Sequence, residues 1–172
     1  MNMVQENIIS IRKHDISLAN EAFADFMSKI EAELNNRANV DPIYFRSLSP
    51  TQLENISVSC MKEVAPSTPF RPEEIKLVSG IAFPDIVADT YYGVEVKSTQ
   101  SDHWKSTGSS IIETTRNKKV ESIYMLFGKL GGKPEFRCRP YEDCLYDITV
   151  THSPRYLIDM NTDCLLYTSP SP

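Results

Sequence analysis

Apolar residues return at steps of three and four along the first part of the chain. Ile16, Ala19, Phe23, Phe26, Ile30 and Leu34 form one stripe, and Glu21, Asp25, Lys29 and Glu33 lie on the opposite face. That period predicts an amphipathic helix, capped at Asp15 or Ser17 and leaving near Asn36. A second stripe of Leu53, Ile56, Cys60, Met61 and Val64 follows a stronger start signal. Ser49 suits the cap, Pro50 the first turn, and Gln52 the closing arm of a capping box. The run PSTPFRP (residues 66–72) cannot continue a helix and ends this one.

Beyond residue 75 the period shortens to two. Residues 75–83 read as one strand, or as a strand broken at Gly80. Residues 85–89 and 94–99 read as the arms of a hairpin, with Tyr91-Tyr92-Gly93 as the bend. Val94 and Val96 alternate with Glu95 and Lys97, so one face of this arm is core and the other is open to chemistry. Residues 101–110 read largely as loop, and 109–120 as a helix with Ile111, Ile112, Thr115 and Val120 inward. Ser122–Leu130 reads as a buried strand, and Gly131–Pro134 as a turn. Residues 136–139, 145–151 and 156–160 read as short strands, with Arg155 in a turn before the last. The expected class is α/β: a mixed β-sheet flanked by helices.

Length and composition fit this picture. A chain of 172 residues, 41% of them hydrophobic, can bury one substantial core. The net charge of -5 argues against coating nucleic acid by bulk charge. Residues 101–139 nevertheless carry 8 Lys/Arg against 4 Asp/Glu, a local excess of +4 just after the hairpin. Of the four cysteines, none forms a Cys-x-x-Cys pair, so zinc is not expected and free thiols are. With no long apolar run and no signal peptide, the expected location is the cytoplasm. The last nine residues, CLLYTSPSP, resemble the translation of a transposon-derived sequencing adapter. On that reading residues 1–163 are a single domain with a helical N-terminal region and a C-terminus cut short. Residues 164–172 are then a non-native tail that carries no functional argument.

The chemistry concentrates in FPDIVADTYYGVEVKST, residues 83–99. If the hairpin centres on Thr90, Asp85 lies opposite Glu95, with their Cβ atoms about 4.5–5.5 Å apart. Two carboxylates that close repel unless a cation lies between them. Magnesium suits the place, because it takes oxygen ligands and keeps several waters. Asp85, Glu95 and the Val96 carbonyl supply part of such a shell. Lys97 shares the face of Glu95 and can meet a phosphate and the attacking water. Asp89, also on Asp85's face, is the alternative acid, though it lies nearer the bend.

The pattern Pro84-Asp85…Glu95-Val96-Lys97 resembles the PD-(D/E)xK nuclease superfamily, in particular its type II restriction endonucleases. The resemblance covers roughly residues 50–151 and implies a helix, a three-stranded meander, a helix and a further strand, the αβββαβ core. It implies catalytic roles for Asp85, Glu95 and Lys97, and a metal site at Asp85, Glu95 and Val96. Mg2+ is the implied cofactor, with Mn2+ as a substitute. The implied reaction is DNA hydrolysis leaving a 5′-phosphate and a 3′-hydroxyl. Members of this family often add a glutamate from the preceding helix; Glu54, Glu63 and Glu31 are the candidates. The implied partners are double-stranded DNA and a second copy of the chain. A repair or junction-resolving nuclease, or a non-catalytic DNA-binding protein, are the other readings of the same residues.

Several polar and basic residues are candidates for the DNA contact. Ser98, Gln100, His103 and Lys105 follow the active strand directly. Arg116, Lys118 and Lys119 form the clearest basic cluster, and Arg137 and Arg139 alternate on one strand face with Cys138 inward. Trp104 has the size to stack on a base or to anchor its loop in the core. His14 and His152 read as ordinary surface residues.

Overall fold

The computed structural model of the chain describes residues 20–78, 80, 82–110, 117–150 and 154–162. Among the described residues, three α-helices come first. In α1 (Asn20–Val40) the predicted stripe is buried: Phe23, Phe26, Met27, Ile30, Leu34 and Ala38. Its expected cap, with Ile16 and Ala19, lies outside the described residues. The helix runs a turn past Asn36, because Asn35 is used differently. Its side-chain amide donates to the Phe136 carbonyl (3.0 Å) and accepts the Phe136 N–H (2.7 Å). Glu31 accepts the Cys138 N–H at 2.6 Å. Both therefore cover backbone groups of a strand at the rim of a sheet, which would otherwise be open.

The short α2 (Pro42–Arg46) is capped by Asp41, which accepts the Tyr44 N–H. In α3 (Pro50–Val64) both halves of the capping box form. Ser49 Oγ accepts the Gln52 N–H (3.2 Å), and Gln52 Oε1 accepts the Ser49 N–H (2.9 Å). Leu53, Val58, Cys60 and Met61 face inward.

Eight strands follow. β1 (Ile75–Leu77), β2 (Ile86–Ala88), β3 (Tyr92–Thr99), β5 (Ser122–Lys129) and β6 (Glu135–Pro140) form one sheet in the order β1-β2-β3-β5-β6. β3 and β5 run parallel and the other pairs antiparallel, so the sheet is mixed. β4 (Lys105–Ser110), β8 (Pro154–Asp159) and β7 (Leu145–Val150) form a second, antiparallel sheet in that order.

Three expectations change here. β1 is confined to three residues. Arg155 lies within β8 rather than in a turn. The helix expected over 109–120 is absent at both of its ends, since Ser109 and Ser110 belong to β4 and 117–120 is a turn; residues 111–116 lie outside the described ones. The β4 stretch, KSTGSS, is poor in helix formers. Its partner β8 lies over forty residues away, beyond the reach of a local reading.

α1 and α3 cover one face of the large sheet. Their side chains join Tyr92, Val94, Val96, Leu126 and Phe136 in one core. Phe23 sits among Phe70, Tyr92 and Tyr124, with ring centroids 4.8–5.8 Å apart. The second core lies between the two sheets. It takes Ile123, Met125 and Phe127 from β5, Tyr156 and Ile158 from β8, and Trp104, which is 7% exposed. β5 is thus buried on both faces, as a strand in a parallel pairing requires. The architecture is a mixed β-sheet flanked by helices, of the α/β class. Among the described residues, no helix is long and apolar enough to cross a membrane.

Candidate active site

The β2–β3 hairpin turns through Asp89, Thr90 and Tyr91, the first two with positive φ (47° and 65°), while Tyr92 and Gly93 of the expected bend belong to β3. Its register pairs Ile86 with Val94 and Ala88 with Tyr92. One step further, that register would set Asp85 against Glu95; Pro84 has left it and packs on Gly93 instead. β2 ends before this point, whereas β3 runs on to Thr99. The edge of β3 beyond Asp85 is therefore open.

Asp85 fills part of that gap. Its Oδ2 accepts the Val96 N–H at 2.8 Å, the bond a continued β2 would have made. A strand residue directs its N–H and its C=O to the same neighbour. The Val96 carbonyl therefore faces the same edge. Pro84 packs further back along the hairpin, against Gly93 of β3. A Cβ placed on Gly93 would stand 2.9 Å from Val120 Cγ1 and closer still to Pro84 Cγ, so only glycine lets the buried Pro84 seat there.

Glu95 lies on the opposite face from Val94 and Val96 and is 5% exposed. Burial pushes its carboxyl well above the ordinary range. A side-chain hydrogen bond with Asp85, and then the Asp85 charge, push the same way. Lys97 and the Asp85 backbone N–H act in the opposite direction and do not offset them. Two carboxyl groups in contact repel as anions unless a proton or a cation lies between them.

Glu54 joins them from α3. Its carboxyl is raised by burial first and then by Asp85, with Lys97 opposing. The other two helix candidates are occupied elsewhere. Glu63 pairs with Arg37 at 2.5 Å, and Glu31 holds the Cys138 N–H. A cavity of about 270 Å³ opens at this edge, lined by residues including Glu54, Asp85, Val96, Lys97, Ser98 and Ser106. Lys97 is half-buried and forms no ion pair within 4 Å among the described residues. Asp89 lies in the turn at the far end of the hairpin and does not line the cavity.

Among the described residues, no three or more His, Cys, Asp or Glu side chains close into a metal cage. The donor set is smaller: Asp85 at the cavity, Glu95 buried in contact with it, and the Val96 carbonyl on the same edge. Such a set fits Mg2+, which is held through one or two carboxylates and otherwise by water and substrate phosphate. It does not fit zinc, which wants nitrogen or sulfur donors. Among the described residues Cys60, Cys138 and Cys144 form no disulfide, and burial pushes the Cys60 thiol up to about 11.

The residues expected at a DNA surface divide. Ser98 lines the cavity. Gln100 donates to the Leu48 carbonyl at 3.2 Å. His103 Nδ1 accepts the Lys105 N–H at 3.3 Å, and both residues are exposed. Lys118 and Lys119 are exposed on the turn before β5. Arg137 stacks over Trp104 (4.0 Å to the ring centroid) and bonds Asn161. Arg139 donates to the carbonyls of Met160 and Thr162. These two arginines are thereby tied into the fold, with Cys138 between them turned toward the helices. Arg116, His14, His152 and Cys164 lie outside the described residues. Sequence reading placed Ser106 in a polar loop, Ser106–Ser110, whose donors suit phosphates or base edges, without singling it out. It also read Gly93 as part of a bend. Comparison with protein-family models, with curated proteins and with solved structures finds no match to the chain.

Proposed function

We propose that the chain is a Mg2+-dependent endonuclease that hydrolyses phosphodiester bonds of double-stranded DNA, in the manner of a type II restriction enzyme. The carrying observation is the contact between Asp85 and Glu95 at an open strand edge, with Lys97 and Glu54 on the same cavity. The element order supports the PD-(D/E)xK reading. α3 precedes the β1-β2-β3 meander, and β5 returns parallel to β3. The crossover between them departs from that plan, because it contains β4.

Asp85, Glu95 and the Val96 carbonyl would hold the metal. When bound, it supplies charge neutralisation at the phosphate and a water of lowered pKa. Glu95 would hold the ion as its carboxylate, so ion binding would compete with protonation of the pair. The Lys97 ammonium neutralises charge growing on the phosphate oxygens in a partly buried site, where such an interaction is worth more than in bulk water. Glu54, beside Asp85 and Lys97, orients the incoming water. The water oxygen joins phosphorus, and the 3′ oxygen leaves and takes up a proton. A palindromic target calls for two copies related by a two-fold axis.

Plasmid digestion with Mg2+ or Mn2+, followed by sequencing of the ends, tests this reading. The expected result is cutting at defined ends. Asp85→Asn should lower the rate at least about a hundredfold, because a metal-site charge contributes several kcal/mol to the transition state, while DNA binding persists. Cutting confined to branched DNA would point to a repair or junction-resolving enzyme. Undiminished cutting by Asp85→Asn would sink the proposal, as would DNA binding with no cutting under either ion.

A further inference from the structure

We propose that Ser106, contributed by the second sheet, binds the DNA phosphate at this site; the inference rests on the nuclease reading and names a further substrate-binding residue for it. β4 alternates with period two. Trp104 and Gly108 are buried, while Lys105 and Thr107 are exposed. A Cβ on Gly108 would meet Ile158 and the Tyr141 hydroxyl, so this face of β4 is the one turned to the core between the sheets. Ser106 belongs to that face by its spacing. Its register partner is Ile158, which is fully buried, and directly opposed residues share a face.

An inward position between a tryptophan and a glycine, opposite an isoleucine, ordinarily holds an apolar side chain. Here it holds a hydroxyl with no hydrogen-bond partner among the described residues. The Ser106 side chain is half-buried and is free to meet whatever enters beside it. What Ser106 does meet is the cavity it lines with Glu54, Asp85, Val96, Lys97 and Ser98. Two carboxylates there repel an acidic ligand by themselves, so on the nuclease reading an anionic ligand would be met by Lys97 and the metal together. A phosphodiester is such a group, and a hydroxyl can donate to its non-bridging oxygen. Ser106 is held for this purpose by its neighbours. Trp104 is packed under Arg137, and its carbonyl accepts the Met160 N–H at 2.9 Å.

The test compares full-length wild type, Ser106→Ala and Ser106→Thr in plasmid cleavage with Mg2+, with thermal unfolding of each. A hydrogen bond to a charged group predicts a KM about tenfold higher for Ser106→Ala. It also predicts a kcat within about twofold of wild type, because the bond is made equally in ground and transition states. Ser106→Thr keeps the hydroxyl and should restore KM, which a packing role would not predict. The unfolding midpoint of Ser106→Ala should stay at the wild-type value. An unchanged KM in Ser106→Ala, in a wild type that cuts, overturns this inference and leaves the nuclease reading standing. A wild type that cuts no DNA removes both.

Discussion

Replacing Gly93 by alanine tests how the fold delivers the acid to its site. The added Cβ would stand 2.9 Å from Val120 Cγ1, 3.3 Å from Pro84 Cβ and closer still to Pro84 Cγ. Carbon atoms pack at about 3.5–4.0 Å, so the neighbours must retreat by roughly 1 Å at Val120 and by more at Pro84. Pro84 cannot swing aside, since it is a buried ring. Overpacking of this kind costs about 1–3 kcal/mol. For a chain of this size that lowers the melting midpoint by roughly 2–12 °C. The effect on activity should be larger than the effect on stability. Asp85 follows Pro84 directly, and its bond to the Val96 N–H is 2.8 Å long. A shift of about 1 Å takes that contact out of hydrogen-bonding range, and misplacement on this scale costs about a hundredfold in rate. The assays are thermal or urea unfolding, and plasmid cleavage well below the melting midpoint. Gly93→Ala with wild-type stability would refute the close approach of Pro84. Gly93→Ala with a lowered midpoint and full activity would refute the link from Pro84 to the position of Asp85.

The remaining predictions concern charge and backbone satisfaction. The folded-state carboxyl of Glu95 titrates above its ordinary value of 4.5, chiefly through burial. Its contribution to the stability of the metal-free protein is therefore fully present below pH 4.5 and is lost as pH rises through the raised folded value. Glu95→Gln cannot lose that proton, so urea midpoints from pH 4 to 8 should show the variant gaining on wild type as pH rises. A constant difference across that range would refute the assignment. Mg2+ should stabilise wild type at neutral pH and do little for Glu95→Gln. Asn35→Ala leaves the Phe136 N–H and C=O without their helix partner, and should destabilise by about 1–3 kcal/mol in urea unfolding. A loss near zero would mean that water replaces the clamp.

Much of the hairpin was legible along the chain. The alternation of Val94 and Val96 with Glu95 and Lys97 needs only the two-residue strand period, and the centre at Thr90 follows from counting. The capping box at Ser49 and Gln52 is equally local, and it forms as expected. Burial of the Phe23–Leu34 stripe likewise follows from a helical period that tertiary contacts did not override. Where the reading went astray, a distant partner decided. Asn35 looks like a helix exit until Phe136, 101 residues away, takes both ends of its amide. Lys105–Ser110 looks like a loop leading into a helix until β8 pairs with it.

By itself, then, the sequence determined the residues that can carry charge at the site and the strand face they share, because both depend on neighbours two to ten positions apart. Only the tertiary structure decided which helix acid reaches them, that Pro84 packs on Gly93, and that a serine from a second sheet lines the cavity. Those outcomes depend on how separate elements pack, and packing between elements far apart in the chain leaves no period for a sequence to display.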